Sequence, residues 1–208
     1  HRERLTYHMC SGEGPVGSVG DLNGDGLEDL VIPGPKNEPT TLFIQNKNGS
    51  FDALAQDIFE KQARAEHTES IIFDADSDGD LDLYLASGSV ELSTFSDFLY
   101  DRLFFNQGDG TFEMSDQKFP KEGLRISTGV VKAADIDADG DQDLFIGERI
   151  KIGAYGQAGS GYLLENDGTG KFKEITSEKA PFLYQLGMIT DAVFNDWDQD
   201  GDEDLIIA

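Results

Sequence analysis

The chain has one cysteine, Cys10, and three histidines, His1, His8 and His67, and only 16 Lys and Arg among 208 residues. The single Cys10 excludes an internal disulfide framework and a cysteine-based zinc site. Three scattered histidines leave no multi-His site and no HExxH helix. No apolar run approaches the roughly 20 residues of a membrane span. The opening HRERLTYHMC also lacks the apolar stretch of a signal peptide, so any leader is expected to have been removed. The shortage of cations is set against 41 Asp and Glu, giving a net charge of −25. Such a surface repels phosphate, which argues against nucleic acid and anionic membrane as partners. What the chain does not lack is material for a core. Aliphatic, aromatic and Cys residues make up 38%, with 24 Gly to turn the chain between short elements.

Those residues are arranged in a repeat. DLNGDGLEDLVI from Asp21, DADSDGDLDLYL from Asp74, DIDADGDQDLFI from Asp135 and DWDQDGDEDLII from Asp196 align without gaps. Their starts lie 53, 61 and 61 residues apart, and each reads D-x-[DN]-x-D-G-x-x-D-L. A second repeat lies between them: LFIQNKNGSF, LFFNQGDGTF and LLENDGTGKF, ending at Phe51, Phe112 and Phe172. Asn48-Gly49, Asp109-Gly110 and Asp167-Gly168 supply residues that tolerate positive φ in tight hairpins. VGSVG, SIIF, GVVKAA and DAVF precede the acidic segments, and DLVI, DLYL, DLFI and DLII follow them. Short β-branched and aromatic runs of this kind predict buried strands, three of them closed by Gly34, Gly88 and Gly147.

Each period therefore predicts strand, acidic loop, strand, connector, strand, glycine turn, strand. Four antiparallel strands in 50 to 60 residues is the size of a propeller blade. The expected fold is all-β: a partial propeller of about three and a half blades, at 15–69, 70–127 and 128–187, with a first hairpin of a fourth at 188–208. The whole chain, 1–208, is then one repeat domain, and its end inside a strand is expected to mark a piece of a longer protein or a fold whose missing strands come from elsewhere. Residues 52–69 are expected to hold a helical turn. Residues 88–102 read as an insertion with a short helix on one face.

The acidic loops carry the chemistry. Counting the first Asp as position 1, side-chain oxygens fall at 1, 3, 5 and 9, Gly stands at 6, and a carbonyl is available at 7. Alternating oxygens around a sharp glycine turn wrap one hard cation. The expected ligands are Asp21, Asn23, Asp25 and Asp29; Asp74, Asp76, Asp78 and Asp82; Asp135, Asp137, Asp139 and Asp143; and Asp196, Asp198, Asp200 and Asp204. The carbonyls come from Leu27, Asp80, Asp141 and Asp202. Oxygen-only sites rich in carboxylates suit Ca²⁺ better than Mg²⁺, so up to four Ca²⁺ are expected. A true EF-hand fails at position 12, where Ile32, Leu85, Ile146 and Ile207 replace the bidentate Glu. The competing reading is a set of solvated acidic turns that bind nothing. The first loop is the weakest site, because Asn23 replaces a carboxylate.

These segments resemble the FG-GAP/VCBS repeats that build the propellers of integrin α subunits and many bacterial surface proteins. GDLNGDGLEDLVI, DRLFFNQGDGTF, GYLLENDGTGKF and LGMITDAVFNDWDQDGDEDL look like the bacterial proteins related to cartilage acidic protein. The resemblance implies a propeller of about seven blades, Ca²⁺ in the loop between the first two strands of each blade, and export to the periplasm, cell surface or medium.

Function is expected to be adhesion or the binding of a protein or carbohydrate ligand, with structural calcium. A polysaccharide-active enzyme and a purely structural spacer or assembly module are the alternatives. No catalytic constellation is readable: His67, Tyr84, Tyr100, Arg102, Arg149, Lys151 and Tyr155 sit in no motif. Trp197, at position 2 of the last loop, is expected to pack between blades and not to stack on a sugar. Phe51, Phe112 and Phe172 are expected between blades too. Asp101 and Arg102 suggest an exposed ion pair, and His8 with Cys10 no metal pair. An open stack of blades predicts self-association through its edges, or an edge covered by the segment Leu5–Met9.

Overall fold

A computed structural model describes residues 15–154 and 156–208. The expectations for Leu5–Met9, His8, Cys10 and Tyr155 lie outside the described residues. Among the described residues the fold is all-β with two single-turn α-helices. The first sheet holds β1 (Ser18–Gly20), β2 (Asp29–Ile32), β3 (Thr41–Gln45) and β4 (Phe51–Leu54). Helix α1 (Asp57–Glu60) follows, inside the predicted connector. The second sheet holds β5 (His67–Phe73), β6 (Asp82–Ser87), β7 (Arg102–Asn106) and β8 (Phe112–Met114). A 3₁₀ turn at Asp97–Leu99 lies in the insertion between β6 and β7. The third sheet holds β9 (Ser127–Ala134), β10 (Asp143–Ile150), β11 (Gly161–Glu165) and β12 (Lys173–Glu174). Helix α2 (Thr176–Lys179) leads to the pair β13 (Ala192–Asn195) and β14 (Asp204–Ile207).

Every sheet is an antiparallel meander in chain order. Its consequence is a molecule with two poles. The acidic loops and the glycine turns fall together at one pole, and the longer connectors fall at the other. One strand differs from expectation. β10 does not close at Gly147 but runs on to Ile150 through a bulge at Gly147 and Glu148.

The sheets pack face to face in sequence order, which the period of two along each strand dictates. Position 11 of the first three acidic repeats faces the following sheet. Val31 packs with Leu83 and Phe104, Tyr84 packs with Leu144, and Phe145 packs with Phe194 and Leu205. Position 10 faces the preceding sheet, as Leu83, Leu144 and Leu205 do. Full burial of side chains of this size contributes roughly 1.5–3 kcal/mol each. Phe112 and Phe172 join these cores as expected, but Phe51 is 39% exposed. Phe112 and Phe172 pack toward the sheet before their own, and no described sheet precedes the one that carries Phe51. The row is open: among the described residues no strand pairs the first sheet with β13–β14. No helix among them is long and apolar enough to cross a membrane.

Candidate metal centres

Each acidic loop joins the first two strands of its sheet, and its backbone is bent by its own carboxylates. The position-6 glycines take positive φ: 84° at Gly26, 96° at Gly79, 101° at Gly140 and 102° at Gly201. Their amides donate to one oxygen of the position-1 aspartate, at 2.8 Å to Asp21, 3.1 Å to Asp74, 3.1 Å to Asp135 and 3.2 Å to Asp196. The position-7 amides of Leu27, Asp80, Asp141 and Asp202 donate to the position-5 carboxylates Asp25, Asp78, Asp139 and Asp200. Position 4 is also left-handed: Gly24 at 71°, then Ser77 at 61°, Ala138 at 61° and Gln199 at 64°. A non-glycine residue held there costs on the order of 1–3 kcal/mol. The sequence hints at this only through Gly24.

The effect is to turn the side-chain oxygens inward. Asp74, Asp76 and Asp78 offer oxygens within 4.8 Å of one another, as do Asp135, Asp137 and Asp143, and Asp196, Asp198 and Asp204. These three clusters can hold a metal ion. The first loop, with Asn23 at position 3, is not among them. Two further observations bear on the fit. The Oδ1 atoms of Asp74, Asp76 and Asp141 are buried with no hydrogen-bond partner. Burial first, and neighbouring carboxylates second, raise the pKa of several of these groups. Burial pushes Asp141 up to about 6, with Asp139 and Asp143 adding to it. Burial followed by Asp78 and Asp74 raises Asp76, and burial raises Asp82 to about 6 against two amide bonds. Unpaired carboxylate oxygens in a partly buried loop are the donor set of a hard cation.

The position-9 aspartates do more than complete the loops. Asp29, Asp82 and Asp143 are buried. One oxygen accepts from the position-2 amide of Leu22, Ala75 or Ile136. The other accepts from the end of the third strand, at Gln45 or Asn106, or from the residue just past it, Asn166. Asp204 repeats the first contact through Trp197. Sequence reasoning missed the next layer. Asn106 Nδ2 donates to the carbonyls of Leu22 and Leu81, and Asn166 Nδ2 to those of Ala75 and Gln142. Gln56 clamps the next glycine turn through Gly110 O and Phe112 N, and Gln117 does the same at Gly170 and Phe172. Their signal was available: both glutamines stand five residues after the repeated Phe.

At the other pole lies a buried polar cluster. The Asp101 carboxylate accepts from the Tyr84 hydroxyl at 3.0 Å, the Ser87 amide at 2.7 Å and the Thr128 hydroxyl at 2.9 Å. Burial pushes Asp101 up to about 7. The predicted exposed Asp101–Arg102 pair is corrected here. Arg102 is itself buried and donates to the carbonyls of Asp97 and Asp101, leaving the Asp101 carboxylate to the neutral donors. His67, whose ring Nδ1 is 3.4 Å from the Ser87 hydroxyl, is held neutral by burial, its pKa lowered to about 4. Tyr100 is buried too, with Arg125 and Lys118 over its ring at 4.6 and 5.3 Å. Lys151 pairs with Glu148, and Arg149 is engaged as well. Trp197 departs from its expected packing and is 73% exposed, because position 2 of the last loop meets no following sheet among the described residues.

The model of the FG-GAP-like repeat matches residues 21–85 and 74–146. A 101-residue stretch is 33% identical to Aspartic protease 3 of Toxoplasma gondii, covering 47% of this chain and 15% of that protein. Among solved structures, an Agrocybe aegerita lectin that recognises non-reducing terminal N-acetylglucosamine is similar at TM-score 0.50 and 24% identity. That likeness covers 80% of this chain and 39% of the lectin. The rhamnogalacturonan lyase YesW is similar at TM-score 0.56 and 17% identity, over 94% of this chain and 40% of the lyase. At these identities the two likenesses speak for the fold alone. The chain spans well under half the length of each of these proteins.

Proposed function

We propose that this chain, which belongs to the FG-GAP-like repeat family, is a calcium-stabilised ligand-binding module built as a row of β-propeller blades. One observation carries the reading. Three loops each converge three carboxylates within 4.8 Å, and three of the oxygens in these loops are buried without a partner. Asp74, Asp76, Asp78 and Asp82 would hold one ion, Asp135, Asp137, Asp139 and Asp143 a second, and Asp196, Asp198, Asp200 and Asp204 a third. Asp21, Asn23, Asp25 and Asp29 would hold a fourth, more weakly. The carbonyls of Leu27, Asp80, Asp141 and Asp202 would complete the shells. A bound Ca²⁺ supplies charge neutralisation: four ions would lower the formal charge from −25 to −17. The residues do the rest by pinning strand register, since the position-9 carboxylates Asp29, Asp82 and Asp143 each span from the loop to the end of the third strand of their own sheet.

We place the module in an exported or cell-surface protein, where millimolar calcium fills sites with dissociation constants of about 10⁻⁴ to 10⁻³ M. Its ligand would be a carbohydrate or a protein, and its role non-enzymatic. The likeness to a lectin and to a polysaccharide lyase is compatible with carbohydrate. The buried positions of His67, Tyr84, Tyr100 and Arg102 support a binding role over catalysis. Isothermal titration with Ca²⁺ tests the metal. Three to four sites are expected, with Mg²⁺ giving a much smaller heat, and no calcium heat would overturn the reading. A glycan array with and without EDTA tests the ligand class. Calcium-dependent retention of a glycan is the expected result, and a blank array beside protein-ligand capture would redirect the search.

A further inference from the structure

We infer that Asn106 and Asn166 couple neighbouring metal loops, so that filling one loop tightens the next. The inference rests on the calcium reading and goes beyond it. Asn166 makes three contacts in two different loops. Its backbone amide donates to Asp143 Oδ1 at 2.8 Å, and its Nδ2 donates to Gln142 O at 3.2 Å, both in the third loop. The same Nδ2 donates at 2.8 Å to Ala75 O, at position 2 of the second loop. The amide of Ala75 in turn donates to Asp82 Oδ2 at 2.9 Å. Asn106 repeats the pattern one sheet earlier. Its amide bonds Asp82 Oδ1 at 2.8 Å, its Nδ2 bonds Leu22 O at 2.7 Å, and the amide of Leu22 bonds Asp29 Oδ2 at 3.0 Å.

The result is one hydrogen-bonded line through three loops: Asp143, Asn166, Ala75, Asp82, Asn106, Leu22 and Asp29. The aspartates and asparagines of this line are all buried, at 4% exposure or less. Such a line is rigid and little screened. An ion that fixes the position-9 carboxylate of one loop fixes the asparagine bonded to it. That asparagine then fixes the position-2 residue of the preceding loop through its carbonyl, and the amide of the same residue orients that loop's own position-9 carboxylate. The second ion meets a loop already ordered, and the ordering cost it would have met is reduced. Linkage requires the effect to be reciprocal.

Each loop has its own reporter. The amides of Gly79 and Gly140 bond to Asp74 and Asp135 in the second and third loops, so their ¹⁵N–¹H resonances follow each loop separately. Asp137→Asn removes one carboxylate charge from the third loop and leaves the residue that the first loop already carries at this position, Asn23. Calcium titration of the full chain is expected to show that this substitution weakens binding at Gly79 about fivefold or more. In an Asn166→Leu background the same substitution is expected to leave Gly79 unmoved. Asp76→Asn, read at Gly140, is expected to give the same factor as the converse pair, and keeps the test independent of the leucine variant's folding. An unchanged Gly79 affinity in Asp137→Asn, with normal calcium binding by the wild type, overturns the coupling. Absence of calcium shifts at both glycines in the wild type overturns the calcium reading and the coupling with it.

Discussion

At the scale of single residues, the chain keeps its charges in two different states. The acidic pole exposes carboxylates that repel one another, whereas the other pole buries titratable groups among neutral donors. His67 shows what that burial does to stability. Its folded pKa is lowered to about 4 from 6.5, so between these values the unfolded chain binds the proton more readily. Stability from this residue is complete above about pH 6.5 and is lost as pH falls toward 4, by on the order of 3 kcal/mol. Asp101 acts with the opposite sign: raised to about 7 from 3.8, it makes the fold less stable as pH rises through that interval. Urea midpoints in excess calcium at pH 4 and pH 7 separate the two. His67→Gln is expected to lose less stability than wild type on acidification, and an equal loss in both proteins would show that His67 is protonated in the fold.

At the scale of elements, the clamps between repeats decide how the sheets stay in line. Gln117→Ala removes the bonds to Gly170 O at 2.6 Å and from Phe172 N at 3.0 Å. Leaving these backbone groups unpaired is expected to cost about 1–3 kcal/mol by chemical denaturation, with strand content unchanged by circular dichroism. Gly147→Ala tests packing where β10 bulges: an added Cβ would lie 2.6 Å from Ile189 Cγ2 and 2.6 Å from Val130 Cγ1. Overpacking of about 1–3 kcal/mol is expected, and a neutral result would mean that Ile189 yields. The elements themselves were legible in the sequence, because the acidic loops and glycine turns repeat in register and the flanking runs are β-branched. What was not legible pairs residues well over one period apart, such as Asn106 with Leu22, 84 residues away, or Asn166 with Ala75, 91 residues away. Local hydrophobic pattern carries no trace of such bonds. The misread single residues, Phe51 and Trp197, sit on the two outermost described sheets, where a repeat position meets no neighbouring sheet. Asp101 was misread for a different reason: sequence adjacency suggested Arg102 as its partner, while the fold brings Tyr84, Ser87 and Thr128.

At the scale of the whole molecule, a net charge of −25 is divided unevenly. The four acidic loops hold 20 of the 41 carboxylates within their first ten positions and contain no Lys or Arg. Without cations this pole works against the compact state, and ions bound as proposed would make it a set of crosslinks between strands. The most direct test is a thermal melt of the chain in excess EDTA and in 1 mM Ca²⁺, with Mg²⁺ as control. For dissociation constants of 10⁻⁴ to 10⁻³ M, each filled site adds about 0.4 to 1.4 kcal/mol, and four independent sites add roughly 1.6 to 5.7. A rise of several degrees with Ca²⁺ and little with Mg²⁺ is the predicted result. Equal melting temperatures in EDTA and in Ca²⁺ would contradict the account and leave the acidic loops as solvated turns.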